Sequence, residues 1–374
     1  MKQRTFNILL TVLFCLFIGG MFLGSLILPD RDFSQLENRK LAQTPALSLE
    51  NITTGKFMED AEDYVNDQIL GRDFWVALKA WSERASGKQE NNGVYFAKED
   101  TLISRVDTPE QSTLDTNAGY VNALVDNVDV PVYFGIIPSA AEIWSDRLPE
   151  GAPTADEKAI IDRLYNEVQT HTIDLYSALA QHKDEGLYYR TDHHWTSLGA
   201  YYGYTALMDA MGLEAVPLDE SQKVTVSENF YGTLFSSSGV RWLPPDHIDR
   251  YISDEGVTVT AYPNGTPEPG SLYVDSYLEV KDKYSSFLGG NKPLCVIETE
   301  HTDAPKVLVI RDSYADSLAP FLTQNFSEIH LFDPRYNLTS VKDYVTQNEI
   351  DSVVVLYSIS NFTAKDNQMF VLGR

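Results

Sequence analysis

Val307-Leu308-Val309-Ile310-Arg311-Asp312-Ser313-Tyr314 reads as a short buried strand that ends in Asp-Ser. Four consecutive apolar residues, three of them β-branched, fit a strand covered on both faces, which is the pattern of a parallel sheet. Comparable runs recur at 130–137, 329–332 and 352–356, and apolar residues at helical spacing occupy 115–126, 155–168 and 197–211. Strands alternating with helices in this way predict an α/β domain, a mostly parallel sheet flanked by helices. Ligands in such sheets bind outside the carboxyl ends of the strands. Ser313 falls at one such end, and Ser139 follows another.

A second segment, Tyr189-Arg190-Thr191-Asp192-His193-His194-Trp195-Thr196, sets a carboxylate and two imidazoles beside a tryptophan, just before the predicted helix 197–211. In an extended stretch, residues two apart share a face, so Asp192 and His194 are expected as neighbours while His193 points away. Asp192 would hold the His194 ring in one tautomer and stabilise its protonated form. An imidazole titrates near roughly 6.5 when unperturbed, which suits proton transfer at neutral pH. Ser313 is what such a base would act on. A helix starting there would offer the N–H groups of Ser313 and Tyr314 to an oxyanion. Taken alone, Asp-Ser at a strand-to-helix turn is commonly only an N-cap. The Asp-x-His segment is what favours a Ser-His-Asp hydrolase or acyltransferase.

The same three residues would also serve as part of a metal site. A site needs a third or fourth protein ligand, and His182, His247 and His301 join only if the fold brings them in. No metal and no cofactor is expected. His193 is expected to support or pack, and Trp195 to anchor the core, with sugar stacking as its alternative role. Arg335, after the strand at 329–332, would clamp a carboxylate or carbonyl oxygen, or else pair with an acid. Asn361 follows the last strand and is either an oxyanion donor or a turn residue.

The N-terminus bounds where this chemistry takes place. Lys2 and Arg4 precede an uncharged run through Leu28, and the next charge is Asp30. The run is long enough to cross a hydrocarbon core of roughly 30 Å, and the leading basic residues place everything after Pro29 outside the cytoplasm. A cleaved signal peptide is the alternative, with Gly24-Ser25 as its cleavage candidate and secretion as its outcome. Cys15 lies within the run and Cys295 stands alone beyond it, so the exported part forms no internal disulfide and looks bacterial. With 54 acidic against 29 basic residues, the net charge is −25. That argues against nucleic acid, anionic lipid or an acidic polymer as a steered ligand and excludes the phosphate backbone. The expected organisation is a membrane anchor over 1–29, a juxtamembrane helical segment over 30–107 and an α/β domain over 108–374. Within that domain, 216–302 breaks the rhythm with Pro244-Pro245, Pro263-Asn264-Gly265 and Pro267-Glu268-Pro269-Gly270. It is expected as an insertion of loops and short antiparallel strands over one rim.

Asp192-His193-His194-Trp195 is also the name-giving motif of the bacterial DHHW family. The chain resembles that family and the wider set of SGNH-hydrolase-like proteins that O-acetylate alginate and other exopolysaccharides. The resemblance extends to Leu36-Glu37-Asn38-Arg39, residues 64–72, the turn at 93–96, Ile310 to Tyr314, and Asp333-Pro334-Arg335-Tyr336. In the alginate acetylation proteins an Asp-x-His-Trp segment and a later serine in a Gly-Asp-Ser-like turn form the triad. This implies Asp192, His194 and Ser313 as catalytic, with His193, Trp195, Arg311, Tyr314 and Arg335 binding substrate or supporting the site. Arg311 departs from the pattern, standing where a glycine often precedes Asp-Ser. It is expected to pair with Asp312 or to face substrate. The resemblance implies serine-dependent O-acyl transfer to or from a cell-surface polysaccharide, with a membrane-bound acyltransferase as donor. A non-catalytic glycan-binding or scaffold protein that retains the fold is the alternative.

Overall fold

The computed structural model describes residues 3–374; Lys2, read above as part of the basic flank, lies outside them. The chain divides into two compact units, one running to Lys88 and including Ser236–Trp242, the other formed by Gln89–Phe235 and Leu243–Arg374.

In the first unit, Gln3–Ile27 is a single helix, long and apolar enough to cross a membrane, with no buried residue. Helices Leu49–Thr53, Lys56–Gln68 and Arg72–Ala85 follow a two-stranded turn that pairs Phe33–Ser34 with Arg39–Lys40. Asn38 takes a left-handed conformation at that turn, φ 52°, which asparagine tolerates better than most residues. The turn aims Glu37 and Arg39 at the helices. Arg72 grips Glu37 through two bonds of 2.6 and 2.9 Å, and Arg39 grips Asp67 at 2.8 and 2.5 Å. Leu36-Glu37-Asn38-Arg39 and the 64–72 segment are thus two halves of one forked ion-pair network.

The second unit is built on an eight-stranded sheet: β1 Val132–Ile137, β2 His171–Thr172, β3 Thr258–Ala261, β4 Glu268–Pro269, β5 Leu294–Glu298, β6 Lys306–Arg311, β7 Glu328–Phe332 and β8 Ser352–Ser358. Their spatial order is β4-β3-β5-β7-β6-β8-β1-β2. The strands from β7 to β2 are parallel, and β5, β3 and β4 continue the sheet antiparallel. Alternate residues of β6 enter opposite cores. Val307 and Val309 pack with Trp195, Tyr204, Leu318 and Phe321, whereas Leu308 and Ile310 pack with Leu124, Leu164, Val353 and Val355. These four apolar residues of β6 are fully buried, worth about 1.5–3 kcal/mol each relative to exposure. Helices Ser197–Met211 and Ala315–Leu322 cover the first face, and Gln111–Asn127 and Glu157–Glu167 the second.

The segment at 216–302 does more than lie over a rim. Its strands β3, β4 and β5 extend the sheet itself, with β5 pairing along the whole of β7 from Leu294–Phe332 to Glu298–Glu328. Turn residues at Pro263-Asn264-Gly265 and Pro267 interrupt a period-2 pattern whose inner residues, Val259, Ala261, Cys295 and Ile297, are buried. Glycine and proline density therefore marks short connections between edge strands here.

Candidate active site

The carboxyl ends of β1, β6 and β8 lie side by side at one edge of the sheet. Asp312 ties two of them together. Its Oδ1 accepts from the Tyr314 N–H at 3.0 Å, and its Oδ2 accepts from the Ser358 N–H, the Ser358 hydroxyl and the Asn361 amide at 2.9, 2.6 and 2.8 Å. These bonds end β6 and bend the chain, leaving Ser313 as the partly open residue between Asp312 and the helix Ala315–Leu322.

The Asp-His-His-Trp segment reaches Ser313 from a tight reversal. Tyr188 and Trp195 face each other across an antiparallel bridge, and Thr196 N–H donates to Leu187 O at 2.8 Å. Asp246 anchors the approach, accepting from the N–H groups of Arg190 and Thr191 and from the Thr191 hydroxyl. Trp195 is fully buried and its indole N–H donates to Tyr314 O at 2.9 Å and Ser317 Oγ at 3.0 Å. It therefore pins the segment to the serine helix, and the sugar-stacking role is excluded by its burial. Gly203 makes room for it: a Cβ there would lie 2.7 Å from the indole edge.

The three residues that result are in line. Ser313 Oγ lies 2.8 Å from His194 Nε2, and His194 Nδ1 lies 2.6 Å from Asp192 Oδ1. A carboxylate only accepts, so Nδ1 carries the proton and Nε2 presents its lone pair to the serine hydroxyl. Asp192 also accepts from the His194 N–H at 3.0 Å, the Thr233 N–H at 2.7 Å and the Thr233 hydroxyl at 3.0 Å. Burial alone would raise its pKa. The His193 and His194 imidazoles and the bonds from His194 and Thr233 prevail, holding the carboxyl well below the usual range. Gly232 lets Thr233 approach, because a Cβ at 232 would fall 2.2 Å from the Asp192 Cβ.

Alternation misplaces His193. The reversal is not an extended strand, so the His193 ring folds back beside His194, with centroids 3.9 Å apart, and its Nδ1 lies 2.7 Å from Thr233 Oγ1. Its side chain keeps 38% of its surface open, but protein surrounds the opening. That desolvation, reinforced by His194 against Asp192 and Asp312, pushes the imidazole down to about 4.

Tyr284 has no counterpart in the sequence-level expectations. Its ring stacks on His194 at 3.7 Å and 9°, and its hydroxyl lies 3.0 Å from both Ser313 O and Ser317 Oγ. Burial drives the phenol well above its ordinary range, so it stays a donor. It lies in the segment 216–302 without a motif to mark it. The cue was only a tyrosine between Asp282 and Ser285 in a loop-rich stretch.

The two N–H groups expected to face an oxyanion are not equivalent. Tyr314 N–H is committed to Asp312, while the Ser313 N–H makes no hydrogen bond among the described residues. Asn361 donates its amide to Asp312, yet it also lines a pocket of about 160 Å³ with Ser104, Ser139, His193, Tyr314 and Ser360. Ser139 belongs to this pocket, its N–H and hydroxyl held by the buried Glu157 at 2.8 and 2.6 Å.

Arg311 neither pairs with the Asp312 carboxylate nor faces substrate. It is fully buried and forms an ion pair with Asp316 at 2.9 Å, in the first turn of the helix after Ser313. Burial pushes the Asp316 carboxyl up to about 6 even against the opposing pull of Arg311. Arg335 turns back onto Asp333, bonding it at 2.9 and 2.7 Å, so its guanidinium fork is filled from within. Tyr314, through its hydroxyl, donates to the His193 carbonyl.

Asp192, His193 and His194 offer ligand atoms within 4.8 Å of one another. Both oxygens of Asp192 and both nitrogens of His194 already face hydrogen-bond partners, and ligation at His194 Nε2 would displace the serine. His182 pairs instead with Glu185, and His247 with Asp249.

Fold and site together define an α/β domain with a mostly parallel sheet and a serine, a histidine and an aspartate in line at its carboxyl edge. The chain belongs to the DHHW protein family, which matches residues 107–332. A DHHW family protein from Eubacterium siraeum is 26% identical with a TM-score of 0.66, over 75% of this chain and 95% of that one. Bacillus cereus PatB1, in a structure with a sulfonyl adduct, is 20% identical with a TM-score of 0.62, over 74% of this chain and 98% of its own. Among curated proteins the chain has no match.

Proposed function

We propose that this protein is a serine-dependent O-acyl transferase or esterase acting on a cell-surface polysaccharide outside the cytoplasm. In this reading 1–29 tethers the chain, 30–107 lies beside the membrane and 108–374 carries the site. The observation that carries the proposal is the aligned Ser313, His194 and Asp192, a serine hydroxyl bonded to an imidazole whose other nitrogen is held by a buried carboxylate. Ser313 Oγ attacks the ester carbonyl as its proton passes to His194 Nε2, and the tetrahedral oxyanion takes the free Ser313 N–H. Asp192 and the stacked Tyr284 ring favour the imidazolium that forms. As the carbonyl re-forms, the ester C–O bond breaks and His194 protonates the departing alkoxide. A sugar hydroxyl, or water, then gives its proton to His194 and attacks acyl-Ser313; the acyl–Oγ bond breaks and His194 returns the proton to Ser313 Oγ.

The pocket beside the site, which mixes Ser104, Ser360 and Asn361 with Ala140, Ala141 and Leu234 and has Asp192 in its wall, supports an uncharged polyol over an anionic substrate. A membrane-bound acyltransferase supplying the acyl group fits a tethered enzyme of this kind. Rapid mixing with p-nitrophenyl acetate tests the proposal: the wild-type chain is expected to release p-nitrophenol in a burst and Ser313→Ala to release none. An unchanged burst in Ser313→Ala would refute the assignment. Turnover that rises on adding soluble oligosaccharide, with acetyl esters recovered on sugar, identifies the transferase.

A further inference from the structure

We infer that helix Arg72–Ala85 lies in the plane of a lipid bilayer, with the Phe74-Leu78-Trp81 face inserted among the acyl chains beside the N-terminal helix. The inference rests on reading Gln3–Ile27 as a membrane tether and adds a second lipid contact to it. Phe74, Leu78 and Trp81 occur at helical spacing and form one stripe. They are 62%, 40% and 60% exposed, an unusual state for three large apolar side chains on one face.

What identifies the occupant is the neighbour. Within the same unit, Trp75 meets Phe17 edge-on at 6.0 Å, and the Leu70 side chain fills the notch at Gly24, 2.6 Å from where a Cβ would stand. Leu70 N–H also donates to Ser25 Oγ at 2.9 Å. The start of the helix at 72–85 is therefore docked along the C-terminal half of the apolar helix, between Phe17 and Ser25. Phe74 packs against Trp75 at 5.2 Å, so its stripe continues the lipid-facing surface of Gln3–Ile27. The charges of its first turn are turned into protein, Arg72 onto Glu37 and Asp73 onto Arg31. An amphipathic helix with Phe, Leu and Trp on one face is the form that settles at the boundary of headgroups and acyl chains.

The full chain, with Cys15 and Cys295 replaced by alanine, is reconstituted in phosphatidylethanolamine–phosphatidylglycerol vesicles carrying a nitroxide at one cysteine: Val12→Cys, Phe74→Cys, Lys79→Cys or Trp81→Cys. Labels at 12, 74 and 81 are expected to relax more with oxygen than with a water-soluble nickel chelate, and the label at 79 the reverse. A lipid-like label at 12 with nickel-accessible labels at 74 and 81 overturns the proposal while leaving the tether intact. Labels at 74 and 81 that are immobilised and shielded from both reagents also overturn it, assigning the face to a protein partner or a second copy. A nickel-accessible label at 12 overturns the tether itself and the inference with it.

Discussion

Tyr284 gives His194 two kinds of support that can be separated. The ring lies flat on His194, and the hydroxyl holds the Ser313 carbonyl and Ser317. Tyr284→Phe keeps the stack and is expected to retain most activity. Tyr284→Leu frees the imidazole to tilt, and kcat is expected to fall on the order of 10–100-fold with KM little changed. Steady-state kinetics on both variants checks this; equal losses would assign the effect to the hydroxyl. His193 makes a different prediction. Its ring is desolvated beside a second imidazole, so its NMR titration is expected near 4 and not near the roughly 6.5 of a free imidazole. A His193 midpoint above 6 would contradict the enclosure described. Asp192, His194 and Ser313 were legible because they occur as two compact motifs, one of them a strand end with few alternatives. Tyr284 was not, because a stack across 90 residues leaves no spacing to read. The side on which His193 lies depended on a reversal that period-2 reasoning does not contain.

At the scale of elements, the turn that presents Ser313 is braced from below by Arg311 and Asp316. One ends β6 and the other begins the helix, and both are almost wholly buried. Removing one partner leaves the other charge uncompensated in the interior. Arg311→Met is therefore expected to cost about 3–5 kcal/mol in denaturant unfolding. Arg311→Met combined with Asp316→Leu should recover most of that loss; a double variant as unstable as the single would show that the pair is not the brace. Trp195→Ala opens a cavity between the His-His segment and the serine helix, with an expected loss of about 3–5 kcal/mol. The alternation of buried residues made the parallel strands and their helices readable, since Val307 to Ile310 can satisfy two cores only from inside a sheet. The antiparallel edge was obscured because its strands are short and their turns dominate the composition.

Across the whole molecule, pH is expected to act through Glu157, which is fully buried beneath Ser139 and beside Glu142. Burial raises its carboxyl from 4.5 to about 7, outweighing the two bonds from Ser139. The folded state then holds a proton that the unfolded state releases between these values, so the contribution to stability is present below pH 4.5 and lost as pH rises through 7. The shift corresponds to about 3 kcal/mol. Glu157→Gln should flatten this part of a pH series of unfolding free energies, and an unchanged slope would assign it elsewhere. Composition and the apolar N-terminus together described an acidic domain behind a membrane-length helix, whereas the way that helix is packed by Leu70 and Trp75 emerges only in three dimensions. The central claim is that Ser313 carries the acyl group. Acid-quenching the wild-type chain milliseconds after mixing with p-nitrophenyl acetate, then weighing its peptides, tests it most directly. One acetyl on the Ser313 peptide is predicted, absent in Ser313→Ala and slow to form in His194→Ala. An adduct undiminished in Ser313→Ala, or no adduct and no turnover with any acetyl donor, would contradict it.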